Sequence, residues 1–412
     1  MTALVVPTTP IVHRLAQRTG LKHIDFVSND MSIEDRATLL LIRDLVRLGW
    51  HLRSPNHNTN AFEFVAPNTY DKSTVRQAMA YSREEVLAAN AGWITKNIAL
   101  ARRNLASGEA ALLSTFSPYI EECKSQKSHD TFRIFRYYWS SPYSEYVGRR
   151  IKLLIRDAGV PGHPVIGIAA LGSSIIHIPD RDIKIGWDTK TRTDRIVYMM
   201  DAYVVGALPP YNSLLGGKLI SYILASNEVR EIFRNKYAQS ATLSKQRIAN
   251  DLVFIITTSL YGAHSSQYNR LRYDDSLLYV PFGETAGYGT LHITGETFNA
   301  FRELLKSKNR HVSHQFGDGA NWRMRVIREA CETLRLNPDT ILKHSFKRGL
   351  FAVPLASNWK EFLRGEDNEP QYRDLPLESL VEHWKTRWLS MRLRNPEIQQ
   401  EVLNFRPDHF TI

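Results

Sequence analysis

The sequence is poor in cysteine and lacks a long apolar run. Its 412 residues include only Cys123 and Cys331, which lie far apart and offer neither a disulfide framework nor a paired zinc-ligand spacing. The longest stretch without Asp, Glu, Lys or Arg, residues 158–179, is broken by glycine and proline, so it predicts no membrane span. The first residues carry no basic cluster typical of a secretion signal. We therefore expect a cytoplasmic protein with no membrane partner.

Acidic residues are also in short supply. The chain has 42 Asp and Glu against 53 Lys and Arg, which gives a formal charge of +11. Lys and Arg placed against phosphate release condensed counterions, so a basic chain suits a polyanionic partner. We expect nucleic acid or a nucleotide in that role. No histidine or cysteine cluster predicts a resident metal.

Apolar spacing divides the chain into three predicted domains. Residues 1–130 and 296–412 show the three-to-four spacing of amphipathic helices, so both domains are predicted to be helical. Residues 131–295 predict long helices at 146–158 and 213–237. Apolar, β-branched runs in the same domain predict strands at 165–171, 175–178, 196–205, 252–258, 278–280 and 290–293. The predicted fold class is therefore α/β (α+β), a mixed sheet core between helical domains.

A turn and helix start at residues 209–219 predict an anion site. Ser213 follows two prolines, and Gly216, Gly217 and Lys218 then open a helix with an apolar face. Free backbone N–H groups and the helix dipole favour an anion, and Lys218 adds a charge. The pattern lacks the Walker spacing and is closer to the turn by which acetyltransferase-like folds hold the pyrophosphate of acyl-coenzyme A. We predict that these four residues bind such a cofactor; alternatively, the glycines only allow close packing.

Three residues are candidate catalytic groups. Tyr268 follows the run 252–258 on a serine-opened helix, where acetyltransferase-like folds often carry a tyrosine as general acid. Glu284 lies in a glycine-rich turn and offers a base or an orienting carboxylate. Asp201 lies inside the run 196–205, and the aspartates around it also suggest a metal-dependent nuclease. For Tyr268, ordinary packing is the alternative.

Residues 133–156 combine six Lys and Arg with several aromatic residues. A nucleic-acid strand requires positive charge for its phosphates and aromatic faces for its bases. We predict that Arg149, Arg150 and Lys152, together with Arg270, bind nucleic acid. The alternative is that the aromatic side chains belong to the core and the cations lie on a solvated helix face.

Several motifs of this chain occur together in a known family. They are residues 185–187, 206–212, 215–218, 257–262, 265–271 and 283–289. In this order they resemble the DruA family of the Druantia anti-phage defence systems, most closely over residues 135–295. The resemblance implies partner subunits that include a helicase-like protein, and it implies no particular activity.

The leading interpretation is a defence component that engages nucleic acid and has an acetyltransferase-like core. One alternative is an active acyl-coenzyme A-dependent transferase that modifies nucleic acid or protein. The other is a metal-dependent nuclease.

Overall fold

The computed structural model describes residues 3–19, 21, 31–53, 61–67, 72–139, 148–242, 246–260, 262, 264, 266–290, 292–312, 320–344 and 346–412. The strands are β1 (Ala3–Pro7), β2 (His51–Arg53), β3 (Ala61–Val65), β4 (Pro118–Glu122), β5 (Arg150–Asp157), β6 (Val165–Ser173), β7 (Met199–Ala207), β8 (Phe254–Ser259), β9 (Arg272–Tyr273), β10 (Ser276–Leu277), β11 (Val280–Glu284) and β12 (Gly349–Pro354). The α-helices are α1 (Pro10–Thr19), α2 (Ile33–Arg47), α3 (Lys72–Ala89), α4 (Ala91–Arg103), α5 (Gly108–Leu113), α6 (Gln126–Arg136), α7 (Pro179–Ile185), α8 (Thr189–Arg195), α9 (Gly216–Ile223), α10 (Asn227–Tyr237), α11 (Gly295–Ser307), α12 (Ala320–Thr333), α13 (Pro338–Leu342), α14 (Trp359–Arg364), α15 (Leu377–Trp384), α16 (Ser390–Arg392) and α17 (Pro396–Leu403).

The described residues form two compact units. Unit 1 takes them from Met1–Ala89 and Ala286–Lys347, and unit 2 takes them from Asn90–Trp139, Tyr146–Thr285 and Arg348–Ile412. Unit 2 contains all the strands from β4 to β12. The domain boundaries at residues 130 and 295 stay predictions.

Unit 1 packs helices around a three-stranded antiparallel sheet of order β1–β3–β2. Helix α2 lies against α11, where the guanidinium of the buried Arg43 donates to Glu296 at 2.6 Å. The Asp44 carboxylate beside it accepts the Thr294 backbone N–H at 2.7 Å. The prediction of an all-helical N-terminal domain is therefore wrong, because β1–β3 alternate buried and exposed side chains as half-buried strands do. The strand predicted at 290–293 is also absent from the described residues there, which lead into α11.

Unit 2 is built on a mixed seven-stranded sheet of order β11–β12–β8–β7–β6–β5–β4. Its neighbouring strands are antiparallel except for the parallel pair β7–β8. The predicted mixed α/β architecture is confirmed. However, β12 lies in this sheet between β11 and β8, so the C-terminal segment is not purely helical as predicted.

Strand β5 overturns the helix predicted at residues 146–158. It pairs with β4 on one side and β6 on the other. Ile151, Leu153 and Ile155 are buried in one core, whereas Arg150 and Lys152 alternate onto the other face. The apolar residues of this segment fit both a helical and a strand period, and pairing with the buried strand β6 decides between them.

Two other predicted elements also differ in the structure. The strand predicted at 175–178 is an irregular segment that leads to α7, which begins at Pro179, a favoured first position of a helix. The long helix predicted at 213–237 is two helices, because the Ser226 side chain accepts the Val229 N–H and starts α10 afresh.

A buried carboxylate fixes the end of β5. Asp157 accepts hydrogen bonds from the Ser114 hydroxyl at 2.6 Å and the Tyr211 hydroxyl at 3.0 Å. It also accepts the backbone N–H groups of Ser117 at 3.0 Å and Gly159 at 2.9 Å. Asp157 thus joins the segment before β4, the end of β5 and the turn before α9.

Replacing this carboxylate should destabilise unit 2. Asp157→Ala leaves four donors without their acceptor, of which the Tyr211 hydroxyl is buried, so we expect a loss of more than about 3 kcal/mol. Tyr211→Phe removes one donor and should cost about 1.5 kcal/mol. Urea unfolding followed by tryptophan fluorescence measures both. An Asp157→Ala protein that unfolds at the wild-type midpoint would contradict this role.

Candidate functional site

The predicted anion site lies at the start of α9, where the backbone is tightly fixed. The Gly216 N–H donates to the Tyr211 carbonyl at 2.9 Å, and Leu215 caps the helix with a φ of 59°. Leu219 and Tyr222 bury one face of α9 in the core beneath the sheet. This packing leaves the first turn of α9 beside the short 3₁₀ helix Gln267–Arg270.

The two glycines of this turn have different roles. A Cβ at Gly216 would lie 2.7 Å from the Tyr211 carbonyl oxygen and 2.9 Å from the Ala207 Cβ, so close packing requires glycine there. A Cβ at Gly217 would meet nothing closer than the Gln267 amide, at 3.7 Å, which is ordinary contact. The packing alternative therefore explains Gly216 but leaves Gly217 unexplained.

Lys218 is the least ordinary residue of the site. Only 8% of its surface is exposed, and its Nζ lies 4.2 Å from the centroid of the Trp388 ring. No described residue offers its ammonium a carboxylate or a hydrogen bond. Burial, followed by the nearby charge of Arg270, lowers the pKa of Lys218. The fold thus brings together a predicted cofactor residue and a predicted nucleic-acid residue.

Ser213 contacts the C-terminal helices, and its predicted cofactor role stays a prediction. Its hydroxyl donates to the Glu401 carboxylate of α17 at 2.6 Å, and its carbonyl accepts from the Arg392 Nε at 2.8 Å. The Trp384 Nε1 donates to the Leu215 carbonyl at 3.2 Å. These contacts dock the C-terminal helices on the start of α9.

The three candidate catalytic residues lie in separate environments. Tyr268 is buried in the core, where it stacks on Tyr279 with ring centroids 4.7 Å apart, and burial raises its pKa. Glu284 is half-buried at the end of β11, and its backbone N–H donates to Asp180 at 2.8 Å. Asp201 is buried in β7. Their catalytic roles stay predictions.

Asp201 belongs to a buried polar network around α7. It accepts from the Ser174 hydroxyl at 2.5 Å and the Ile175 N–H at 2.9 Å. The fully buried Arg181 donates to the same Ser174 hydroxyl at 3.0 Å and to the Asp182 carboxylate at 2.8 Å. No cluster of three or more His, Cys, Asp or Glu that could hold a metal occurs among the described residues.

The predicted nucleic-acid residues of β5 separate into two groups. The Arg149 guanidinium turns inward, donates to the Val197 carbonyl at 2.6 Å, and has its pKa lowered to about 10 by burial. Arg150 is exposed and Lys152 is half-buried. Arg149 is also half-buried, but its guanidinium is held by the Val197 carbonyl.

Arg150 and Lys152 form part of a larger group of cations. Burial lowers the pKa of His129 on α6, and Lys152, Lys236 and Arg150 lower it further. Lys236, on α10, also donates to Glu122 at 2.6 Å, and Asp130 opposes the cations at His129, so two carboxylates lie beside the group. We call Arg150, Lys152, Lys236 and His129 the β5 basic surface. Sequence analysis missed Lys236 and His129, because they lie on other elements.

An open cleft of about 780 Å³ adjoins the same strand. Its lining is mostly basic and polar and consists of Leu100, Arg103, Asn104, Tyr119, Lys127, Arg156, Gly162 and His163. Arg156 shares its face of β5 with Arg150 and Lys152 and forms an ion pair with Glu121. Arg150, Lys152 and Arg156 are spaced by even numbers of residues, which in a strand places them on one face. This common face is not evident when the segment is interpreted as a helix.

The aromatic residues of the basic stretch pack inside the protein. Phe135 and Tyr137 are buried, and Arg133 lies over the Trp93 ring at 4.0 Å. Tyr143 and Tyr146 lie outside the described residues. Tyr138 and Trp139 are half-buried against the same core, so the described aromatic side chains mainly follow the core alternative.

Comparisons with known proteins identify the family. The family model described as Druantia protein DruA matches residues 70–365. A protein of Escherichia coli (strain UMEA 4076-1), Druantia protein DruA, is 35% identical over 331 residues, which cover 79% of this chain and 81% of that protein. The chain belongs to the DruA family, and this membership supports a place among the components of Druantia anti-phage defence.

Two further searches gave no match. No solved structure matches the chain. Among the described residues, none of the helices has the length and apolar character to cross a membrane.

Substitution by alanine should change protein stability differently at the two glycines. Gly216→Ala forces a Cβ against the Tyr211 carbonyl and should lower the melting temperature. Gly217→Ala has room and should be neutral or stabilising by up to about 1 kcal/mol, because glycine is a poor helix former. Differential scanning fluorimetry compares them. Equal destabilisation by both substitutions would show that Gly217 is also required for packing.

The Asp201 network predicts a pH dependence of stability. Burial raises the Asp201 pKa from 3.8 to about 6. As pH falls through 6, the folded state takes up a proton that the unfolded state binds only near 3.8, so stability rises by about 2–3 kcal/mol and then levels off. In Asp201→Asn, this increase in the free energy of unfolding at low pH should be absent. Unchanged pH dependence of urea unfolding between pH 7 and pH 4.5 in Asp201→Asn would refute the assignment.

Proposed function

We propose that this protein is a defence component that holds nucleic acid by its phosphates on the β5 basic surface. The observation that carries the proposal is the grouping of Arg150, Lys152 and Lys236 near His129, whose pKa is lowered first by burial and then by these three cations. Phosphate contacts by such cations release counterions and give affinity independent of sequence.

The neighbouring cleft supports the same function. Arg103, Lys127 and Arg156 line it, and Arg156 lies on the same face of β5 as Lys152, on the other side of the buried Leu154. A strand crossing the β5 basic surface would therefore meet further positive charge in the cleft. Because the described aromatic side chains of this region are largely buried, we expect phosphate contacts without base stacking, and hence little sequence preference.

The proposed function includes partner subunits. Membership of the DruA family implies other components of the defence system, and we propose a helicase-like protein among them. A subunit that holds nucleic acid without sequence preference suits a partner that moves along it. The cytoplasmic location stays a prediction from the cysteine count.

Acyl-coenzyme A-dependent transfer on an acetyltransferase-like core is the second candidate function. The observation that favours it is the Lys218 ammonium beside Arg270 at the start of α9, where a pyrophosphate would be stabilised. Against it, Tyr268 is stacked inside the core. The nuclease alternative has less support, because Arg181 and Arg192 already occupy the Asp182 carboxylate.

Charge reversal on β5 tests the proposed function. Arg150→Glu/Lys152→Glu should weaken binding of single- or double-stranded DNA at least about 10-fold at physiological salt. It should also reduce the slope of log affinity against log salt by about 2, since two phosphate contacts are lost. Fluorescence anisotropy over a salt series measures both quantities.

A matched control distinguishes the effect of losing these two cations from the effect of lowering the net charge of the protein. Lys190→Glu/Arg394→Glu changes the net charge equally, through exposed residues far from β5 in sequence. This control should bind nearly as the wild type does. If both double variants lose affinity to the same extent, or neither does, the β5 basic surface is not the binding site.

A further inference from the structure

We infer that the start of α9 is a second, separate site, which binds the di- or polyphosphate group of a small organic phosphate. The site is formed by the Gly217 amide and Lys218 on α9, Arg270 on the adjacent 3₁₀ helix, and Arg387 beside Trp388. We call these residues the α9 phosphate site. The inference does not depend on the nucleic-acid function proposed for β5.

The Lys218 side chain is the first support. Its residue is more than nine-tenths buried, its ammonium lies over the Trp388 ring, and no described carboxylate pairs with it; contact with an aromatic ring compensates only part of the cost of removing such a charge from water. Arg270 adds a second positive charge nearby. The neighbouring carboxylates have other partners, because Glu401 accepts from Ser213 and Glu382 pairs with Lys385. A bound anion would supply the charge partner that the Lys218 ammonium lacks.

The first turn of α9 is the second support. An α-helix presents unpaired N–H groups and a partial positive charge at its start. No described residue accepts the Gly217 N–H, and the space beside Gly217 is open as far as the Gln267 side chain, which would lie 3.7 Å from a Cβ at this position. Unlike Gly216, this glycine is not needed for packing, but it leaves room for a ligand to approach the backbone.

The segment Lys385–Leu389 is the third support. It forms a π-helical turn, a rare conformation found frequently at functional sites. The turn carries Trp388, whose Nε1 donates to the Tyr222 hydroxyl at 3.3 Å, and Arg387, whose guanidinium carbon lies 5.2 Å from the Trp388 centroid. The Trp388 ring is therefore held by a hydrogen bond, and it contacts two cations, Lys218 on α9 and Arg387 on the π-helical turn.

Isothermal titration calorimetry of the full chain tests the site, with inorganic pyrophosphate, coenzyme A and ATP as probes. Lys218→Met keeps the contact with Trp388 and removes the charge, and Arg270→Ala removes the second cation. Each should weaken binding about 10-fold or more, as expected for the loss of a charge-assisted contact. Arg272→Ala is the matched control, because the Arg272 side chain donates to the Asp275 carbonyl and should leave binding unchanged.

Gly217 supplies a sharper pair of variants. Gly217→Glu puts a carboxylate where the phosphate binds and should abolish binding, whereas Gly217→Gln adds similar bulk without charge and should bind more tightly than Gly217→Glu. Melting curves confirm that each variant is folded. Tighter binding of coenzyme A than ATP would identify an acyl-carrier ligand, and the reverse would identify a nucleotide; both outcomes support the site.

Two results would overturn the inference. One is the absence of saturable binding for all three probes. The other is wild-type affinity in folded Lys218→Met and Gly217→Glu proteins. Because Arg150→Glu/Lys152→Glu should leave pyrophosphate binding intact, failure of this site and failure of the β5 basic surface are distinguishable.

Discussion

The register of β5 is the constraint on which the rest of unit 2 depends. Pairing with β4 and β6 fixes the strand on both edges, and Asp157 fixes its end. A shift by one residue would exchange the buried Ile151 and Leu153 with Arg150 and Lys152, which the core does not tolerate. The same pairing that builds the sheet therefore keeps the cations at the surface, so fold and proposed function share one cause.

The α9 phosphate site lies on one face of this sheet and the side chains of Arg150 and Lys152 lie on the other, whereas Lys236 reaches the sheet edge from α10, which packs on the α9 face. The buried side chains of α9 join Ile151 and Leu153 in one core, whereas Leu154 and the helix α6 form the core on the other face. A small phosphate ligand at α9 and a nucleic-acid strand along β5 would thus not compete for the same residues. Such a separation suits a subunit that reads a small ligand and holds a polymer.

Three strongly apolar strands are predictable from the sequence, whereas the apolar β12 and the alternating strands are not. Strands β6, β7 and β8 can be located because continuous β-branched runs have few other stable conformations. The sequence of β5 predicts a helix, since its apolar residues fit both periods. At α9, local sequence identified Gly217 and Lys218. Arg387 could not be assigned to that site, because tertiary docking of the C-terminal helices brings it there. The same limit applies to His129 and Lys236 on the β5 basic surface.

Photo-crosslinking of the purified protein to a thiolated oligonucleotide, followed by mass spectrometry, shows where nucleic acid lies on the protein. We expect crosslinked peptides from β5, the adjoining α6 and the end of α10, and competition by unlabelled DNA that weakens as salt increases. Crosslinks confined to other segments, with β5 and α6 unmodified, would show that the β5 basic surface does not hold nucleic acid.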